Sequence, residues 1–185
     1  KPNTMIEGIS CVGVKSTVGP NTCIDNTTIG DGSRLENSSS IDACIGNNVS
    51  VGPYSHLRPG TVIEDDVVIG TGVEIKNSQI GTKSRIHHFS YIGDCVIGSD
   101  VNIGAGTVTC NYDGQEKHKT IIEDGAFIGS SSMLVAPLII GRMAKTGAGS
   151  VVVNDVPEGA LVYGVPASIS KEKRSGASGS ANNAC

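Results

Sequence analysis

The chain has 185 residues and a formal net charge of −4, with charges of both signs interspersed and no basic run that would suit nucleic acid or an anionic membrane. Aromatic residues make up only 3% and Trp is absent, which argues against a core of ordinary globular type, and 25 glycines without a three-residue period exclude collagen. No apolar run reaches the ~18 residues that span a bilayer, no signal peptide is read at the N-terminus, and the initial Lys1 is expected to belong to a longer chain.

From the N-terminus onward the sequence is a repeat. Ile-Gly or Val-Gly occurs twelve times between Val12-Gly13 and Ile140-Gly141. An apolar residue recurs every six positions from Ile45 through Val51, Leu57, Ile63 and Ile69 to Ile75. The step slips to five at Ile80, continues through Ile86 and Ile92, and slips again before Ile97 and Ile103. The phase restarts at Ile122 and runs through Ile128, Leu134 and Ile140, with Thr146 and Val152 in step. Four residues after many of these stands a small or β-branched residue, among them Thr22, Ser55, Thr61, Val67, Ser90, Thr107, Ser132 and Ser150.

A helix repeats at three and four, and a hairpin protein alternates at two, so a period of six fits neither. It fits short strands that each end in a tight turn, with the large residue inward and the small one at a corner. Three hexads then close one triangular turn, and roughly eight turns stack as parallel strands into a prism about 40 Å tall. Residues 1–168 are assigned to this coil. The remainder, 169–185, rich in Gly, Ser, Ala and Asn from Lys171 on, reads as a disordered tail. Cys11, Cys23, Cys44, Cys95, Cys110 and Cys185 include no C-x-x-C pair, so they read as small apolar residues in a reducing cytoplasm.

The pattern stops for eleven residues, Thr109–Lys119, a polar insert with the core "CNYDGQEKHK". A plain turn needs fewer residues, and long loops in a regular solenoid are usually functional. One further inference comes from spacing alone. Arg58 and Lys76 are eighteen residues apart, one full turn, so they stand on one face about a strand spacing from each other. Two adjacent cations want an anion between them; a phosphate would serve, and Glu74 is the carboxylate at hand.

The hexads resemble those of hexapeptide-repeat acyltransferases, which are left-handed parallel β-helices. "VGPYSHLRPGT", "VEIKNSQIG", "HHFSYIGD", "VNIGAGTVTCNYDGQEKHKT" and "FIGSSSMLVAP" narrow the likeness. Together they resemble the acetyltransferase domain of the bacterial bifunctional N-acetylglucosamine-1-phosphate uridyltransferase/glucosamine-1-phosphate acetyltransferase family, over about Ile6 to Pro166. A uridyltransferase half with its Gly-rich nucleotide loop is absent from this chain. The resemblance implies an all-β, left-handed coil and a homotrimer with sites between subunits. It implies acetyl transfer from acetyl-CoA to the amine of glucosamine 1-phosphate, a step toward UDP-GlcNAc and the cell wall. No metal, nucleic acid or membrane is implied.

The same resemblance assigns roles. His88, the second His of "HHFSY", is the general base that frees the amine for attack, chemistry suited to an imidazole titrating near neutrality. His87 and His56 read as surface histidines. Asn111 assists catalysis and, with Tyr112, lies at the acetyl-CoA end. Arg58, Lys76 and Lys117 are expected to meet the sugar phosphate, and Tyr91 and Asn102 the sugar. Ala105, Ser130 and Ala148 line the coenzyme, where small residues let an extended chain lie against the coil. The family's arginine near the end of the coil has no counterpart in "LVYGVPASIS", which leaves Arg142 and Lys145 as the nearby cations.

Three other functions fit the sequence less well. A zinc carbonic anhydrase of this fold needs three histidines at a subunit boundary, and His56, His87, His88 and His118 are not spaced for it. A hexapeptide acetyltransferase for another amino sugar would keep the base and the trimer without the phosphate cations. A purely structural coil would not need the insert.

Overall fold

The structure, a computed structural model, describes residues 1–170. The described chain is built from strands and turns only, in three parallel sheets of nine, eight and ten strands. Successive strands visit the first, second and third sheet in rotation, so the chain winds a left-handed triangular coil of about nine turns. The hexad pattern gave roughly eight. The difference arises at the ends, where Thr4–Glu7 and Cys11–Val12 pair in register although Ile6 and Val12 are exposed. Among the described residues only the last strand pair, Leu161–Gly164 with Ala167–Ile169, is antiparallel. The expected tail therefore begins within a strand at Ile169, and Ser170 N still donates to Leu161 O; residues 171–185 lie outside the described part.

The core is a set of vertical columns. On the first sheet Ile24, Ser40, Leu57, Ile75, Ile92, Thr109, Leu134 and Val152 stack inward, each no more than 1% exposed. Where the hexad slips to five, the turn closes in seventeen residues, and Ile75 still pairs with Ile92. The insert lengthens one turn without disturbing the column, since Ile97 pairs directly with Ile122.

The small corner residues are buried as the pattern required, and most do more than save space. Ser84 Oγ donates to Gly98 O at 2.8 Å and accepts Val101 N at 3.0 Å. Ser33 and Ser78 tie adjoining turns in the same way, Ser55 Oγ donates to Gly70 O, and Ser38 Oγ accepts Ser55 N. A hydroxyl at these sites satisfies backbone groups that a corner would otherwise leave buried and unpaired. The corners turn through left-handed backbone, often at Asn or Asp, which tolerate it: Asn26, Asp42, Asn77 and Asp94 have φ of 45, 46, 45 and 50° in one column.

Because the prism is one side chain thick, a cavity cannot be filled from elsewhere. Ile92→Ala is expected to cost about 2–5 kcal/mol, whereas Gln79→Ala on the outer face should change stability by less than ~0.5 kcal/mol. Urea denaturation of the two variants compares them directly, and equal losses would contradict the column as the source of stability.

Candidate active site

Two groups of the residues singled out in the sequence come together. The first lies at the corner between the third and first sheets. Gly106 N donates to His88 O, Ser131 N to Ala105 O, and Gly149 N to Ser130 O, at 3.0, 2.7 and 2.8 Å. His88, Ala105, Ser130 and Ala148 therefore form one column on four consecutive turns, about 14 Å from end to end. The imidazole of His88 is exposed, with its ring centroid 5.7 Å from that of His87 and 6.3 Å from that of Phe89. Below it the column holds only small side chains.

The second group lies on the outer face of the first sheet. Ile75 and Ile92 point inward, so Glu74, Lys76, Tyr91 and Gly93 point out. A Cβ on Gly93 would sit 2.5 Å from Tyr91 Oη and 2.8 Å from Asn111 Nδ2, so glycine is what lets these two side chains close over the strand. Lys117 returns from the insert to stand beside Lys76. The approach and charge of Lys76 push the Lys117 ammonium below its ordinary value, against the opposing pull of Asp94 and Tyr91. Arg58 is one turn above Lys76, as the eighteen-residue spacing requires, with Arg58 N donating to Ile75 O. Its guanidinium is met by the carboxylate foreseen for it, Arg58 Nη1 donating to Glu74 Oε1 at 2.8 Å.

The insert is shorter than the pattern indicated. Thr109 is fully buried in the inner column and Val108–Cys110 is a strand paired with Met133–Val135, so the excursion comprises Asn111–Lys119. The inward phase of the coil accepts threonine as readily as leucine, which hid the true boundary. His118 N donates to Asn111 O at 2.8 Å and closes the base of the loop. Asp113 organises its tip, accepting from Gln115 N, Glu116 N and His118 Nε2. The backbone bond from Glu116, then those from His118 and Gln115, hold that carboxyl far below the usual carboxylate range.

Asn102 stands apart from both groups, while Tyr112 is bridged to Lys117 through the backbone of the insert. Asn102 is on the third sheet between Arg85 and Phe127, and Tyr112 is exposed with its hydroxyl donating to Gly114 O at 2.7 Å. A hollow of about 490 Å³ lined by Asn3, Asn21, Asn37, Tyr54 and His56 lies nearer the N-terminus and contains none of these groups, nor any charged side chain.

Sequence reasoning missed Asp94. It is 9% exposed and accepts from Asn77 Nδ2 at 2.6 Å and from Asn111 Nδ2. Burial alone would raise its pKa; the bonds from Asn77 and Asn111 and the charges of Lys76 and Lys117 outweigh this and lower it. The signal was present in the spacing, since Asn77, Asp94 and Asn111 follow one another at seventeen residues.

A family model described as the GMPPB C-terminal domain matches residues 39–116, and one described as the hexapeptide repeat of succinyl-transferase matches residues 119–153. The bifunctional protein GlmU of Carboxydothermus hydrogenoformans is 52% identical over 171 residues, covering 92% of this chain and 38% of its own length. The chain belongs to the hexapeptide-repeat family. GlmU of Heliobacterium modesticaldum is also 52% identical, over 86% of this chain and 35% of its own, and GlmU of Thermotoga maritima is 49% identical over 92% and 38%. The chain thus spans somewhat over a third of the curated hexapeptide-repeat relatives it matches, and corresponds to their C-terminal part. Among solved hexapeptide-repeat structures, LpxA from Acinetobacter baumannii has a TM-score of 0.77 at 17% identity, over 91% of this chain and 72% of that one, a likeness of fold.

The lowered pKa of Asp94 has a consequence for stability. The folded value lies below the unfolded one, so the contribution is complete above the ordinary 3.8 and is lost as pH falls through the folded value. Urea midpoints of the wild type and Asp94→Asn are expected to differ most near neutral pH and to converge in acid. A difference that does not shrink as the pH is taken well below 3.8 would show that the carboxylate is not held in this way.

Proposed function

We propose that this chain transfers an acetyl group from acetyl-CoA to the amine of glucosamine 1-phosphate, in the cytoplasm and as a homotrimer. The observation that carries this reading is the placement of an exposed imidazole and a cation cluster on adjoining turns, Lys76 pairing with Gly93 five residues after His88. Tyr91, which begins the outer face of the first sheet, follows His88 by three residues, and Lys76 and Lys117 lie toward the far edge of that face. A sugar lying across the face would put its phosphate by the lysines and its amine by His88.

Each chemical need then has a residue. His88 takes the proton that the amine sheds on attack. Lys76, Lys117 and Arg58 hold the phosphate dianion, Arg58 by exchanging Glu74 for it. Tyr91 and Asn111 border the sugar. Acetyl-CoA supplies the activated thioester. The column of Ala105, Ser130 and Ala148 fits its extended arm, because no side chain larger than serine interrupts it below His88. Of the two cations considered for the coenzyme phosphates, Lys145 is on the strand leading into Ala148, while Arg142 is at the opposite corner, where its N–H donates to Glu123 Oε2. Asn102 lies on the third sheet and Tyr112 is exposed on the insert, paired with Lys117, and we assign their contacts to sites shared with a neighbouring subunit.

The outer face of the second sheet favours assembly. Val62, Gln79, Val96, Ile121 and Ile139 lie in one column there, apolar except for Gln79, with Val62 and Ile139 37% and 42% exposed. A second copy would remove this apolar stripe from water.

His88→Ala is expected to keep the fold and lose about 10²–10⁴-fold in acetyl transfer, read by thiol release, while His87→Ala loses far less; equal losses would reject His88 as the base. Arg58→Ala or Lys76→Ala should raise KM for glucosamine 1-phosphate by about 10- to 100-fold with little effect on acetyl-CoA. If Arg58→Ala weakens acetyl-CoA instead, the two ends of the site are reversed. Sedimentation showing only monomer at micromolar concentration would remove the shared site.

A further inference from the structure

We infer that Asp94 is a positioning residue of this site: it fixes the Asn111 amide with its oxygen toward the acceptor and holds Lys76 and Lys117 together as one phosphate cradle. The inference rests on the acetyl-transfer reading and adds to it a residue that touches no reactant. An asparagine amide can ordinarily face either way, because its oxygen and nitrogen are alike in shape. Here the choice is forced. An ionised carboxylate only accepts, so the group turned to Asp94 must be Nδ2. Asn111 is 7% exposed, and its remaining polar atom, Oδ1, is thereby committed as an acceptor on the side away from Asp94. An acceptor there can hold an N–H of the attacking amine and leave its lone pair free.

The second effect is electrostatic. Lys76 and Lys117 stand side by side, and each is attracted by Asp94. The carboxylate is nine-tenths buried beneath them and its oxygens are occupied by Asn77 and Asn111. It can therefore offset the repulsion between the two ammonium groups without covering the outer side where a phosphate would land. A partly buried charge is also screened less by salt than a surface one.

The competing explanation is that Asp94 is only a corner residue, chosen for its φ of 50°. Asparagine separates the two, because Asn77 holds the same corner one turn earlier at 45°. Asp94→Asn keeps the turn, but it presents an NH2 to one of the two amides and carries no charge. With the thermal midpoint confirming a folded protein, we expect KM for glucosamine 1-phosphate to rise about tenfold and kcat to fall. KM for acetyl-CoA should stay within about threefold.

The pH profile is the sharper readout. Lys117 must be protonated to hold phosphate, and Asp94 is the carboxylate that keeps it so against Lys76, with Tyr91 as the other contributor. The alkaline rise in acceptor KM should therefore move to lower pH in Asp94→Asn. The exchange Asn77→Asp with Asp94→Asn restores an acceptor toward Asn111 and should recover most of kcat. A folded Asp94→Asn with wild-type constants at every pH, or a double variant no better than the single one, would overturn the inference.

Wild-type protein that acetylates no amino-sugar phosphate would sink the acetyl-transfer reading instead. Asp94 is then judged by nuclear magnetic resonance of the unmodified protein. The side-chain NH2 protons of Asn111 should exchange slowly with solvent in the wild type and in the double variant, and fast exchange in the wild type would reject the orienting bond.

Discussion

Each turn of this coil donates its backbone N–H groups to carbonyls of the next, most of them about seventeen residues further along, and the rest of the molecule hangs on that register. The ladder needs no particular side chain, but it fixes what every side chain faces. A residue pointing inward meets its counterpart above and below, so Leu57, Ile75 and Ile92 become a continuous, fully buried apolar column. A residue at a corner meets backbone, so serine and threonine serve better than alanine by pairing with the carbonyls and N–H groups there. A residue pointing outward meets its neighbours one strand spacing away, close enough for charges to couple.

That last consequence makes a site from a surface without depth. His88, Ala105, Ser130 and Ala148 are seventeen, twenty-five and eighteen residues apart in succession, and the register turns them into a single line. The same register sets Arg58 above Lys76 and carries Asn77, Asp94 and Asn111 into one column at the edge of the first sheet. The insert then needs only nine residues to bring Lys117 back over that edge, because Asp113 ties its tip and the His118–Asn111 bond ties its base. Charge of both signs is concentrated on three successive turns and the insert, where Glu74 and Asp94 answer three cations.

Much of this was legible beforehand. The hexad period and its slips determined the strands, the inward residues and the small corner residues, since a thin prism admits no other arrangement of that period. Spacing alone placed Arg58 over Lys76 and supplied Glu74 as the alternative anion. The hand of the coil was not legible, because the same hexads describe either hand and the general preference for right-handed crossovers points the other way; the family likeness supplied it. The start of the insert was misplaced at Thr109, because threonine fits both the inner column and a polar loop.

The sequence by itself determined the repeat, the core and the list of residues able to do acyl-transfer chemistry. Only the tertiary structure decided which of those residues meet. Asn102 and Tyr112 share one motif with Asn111, yet the register sends Asn102 to the third sheet and Tyr112 lies exposed on the insert. Asp94 carried no motif role, yet it lies at the centre of the polar cluster. The physical reason is that contact in a coil depends on accumulated turn length. Each five-residue step and each inserted residue shifts what stacks on what, and a charge becomes functional only when that sum brings a partner within reach.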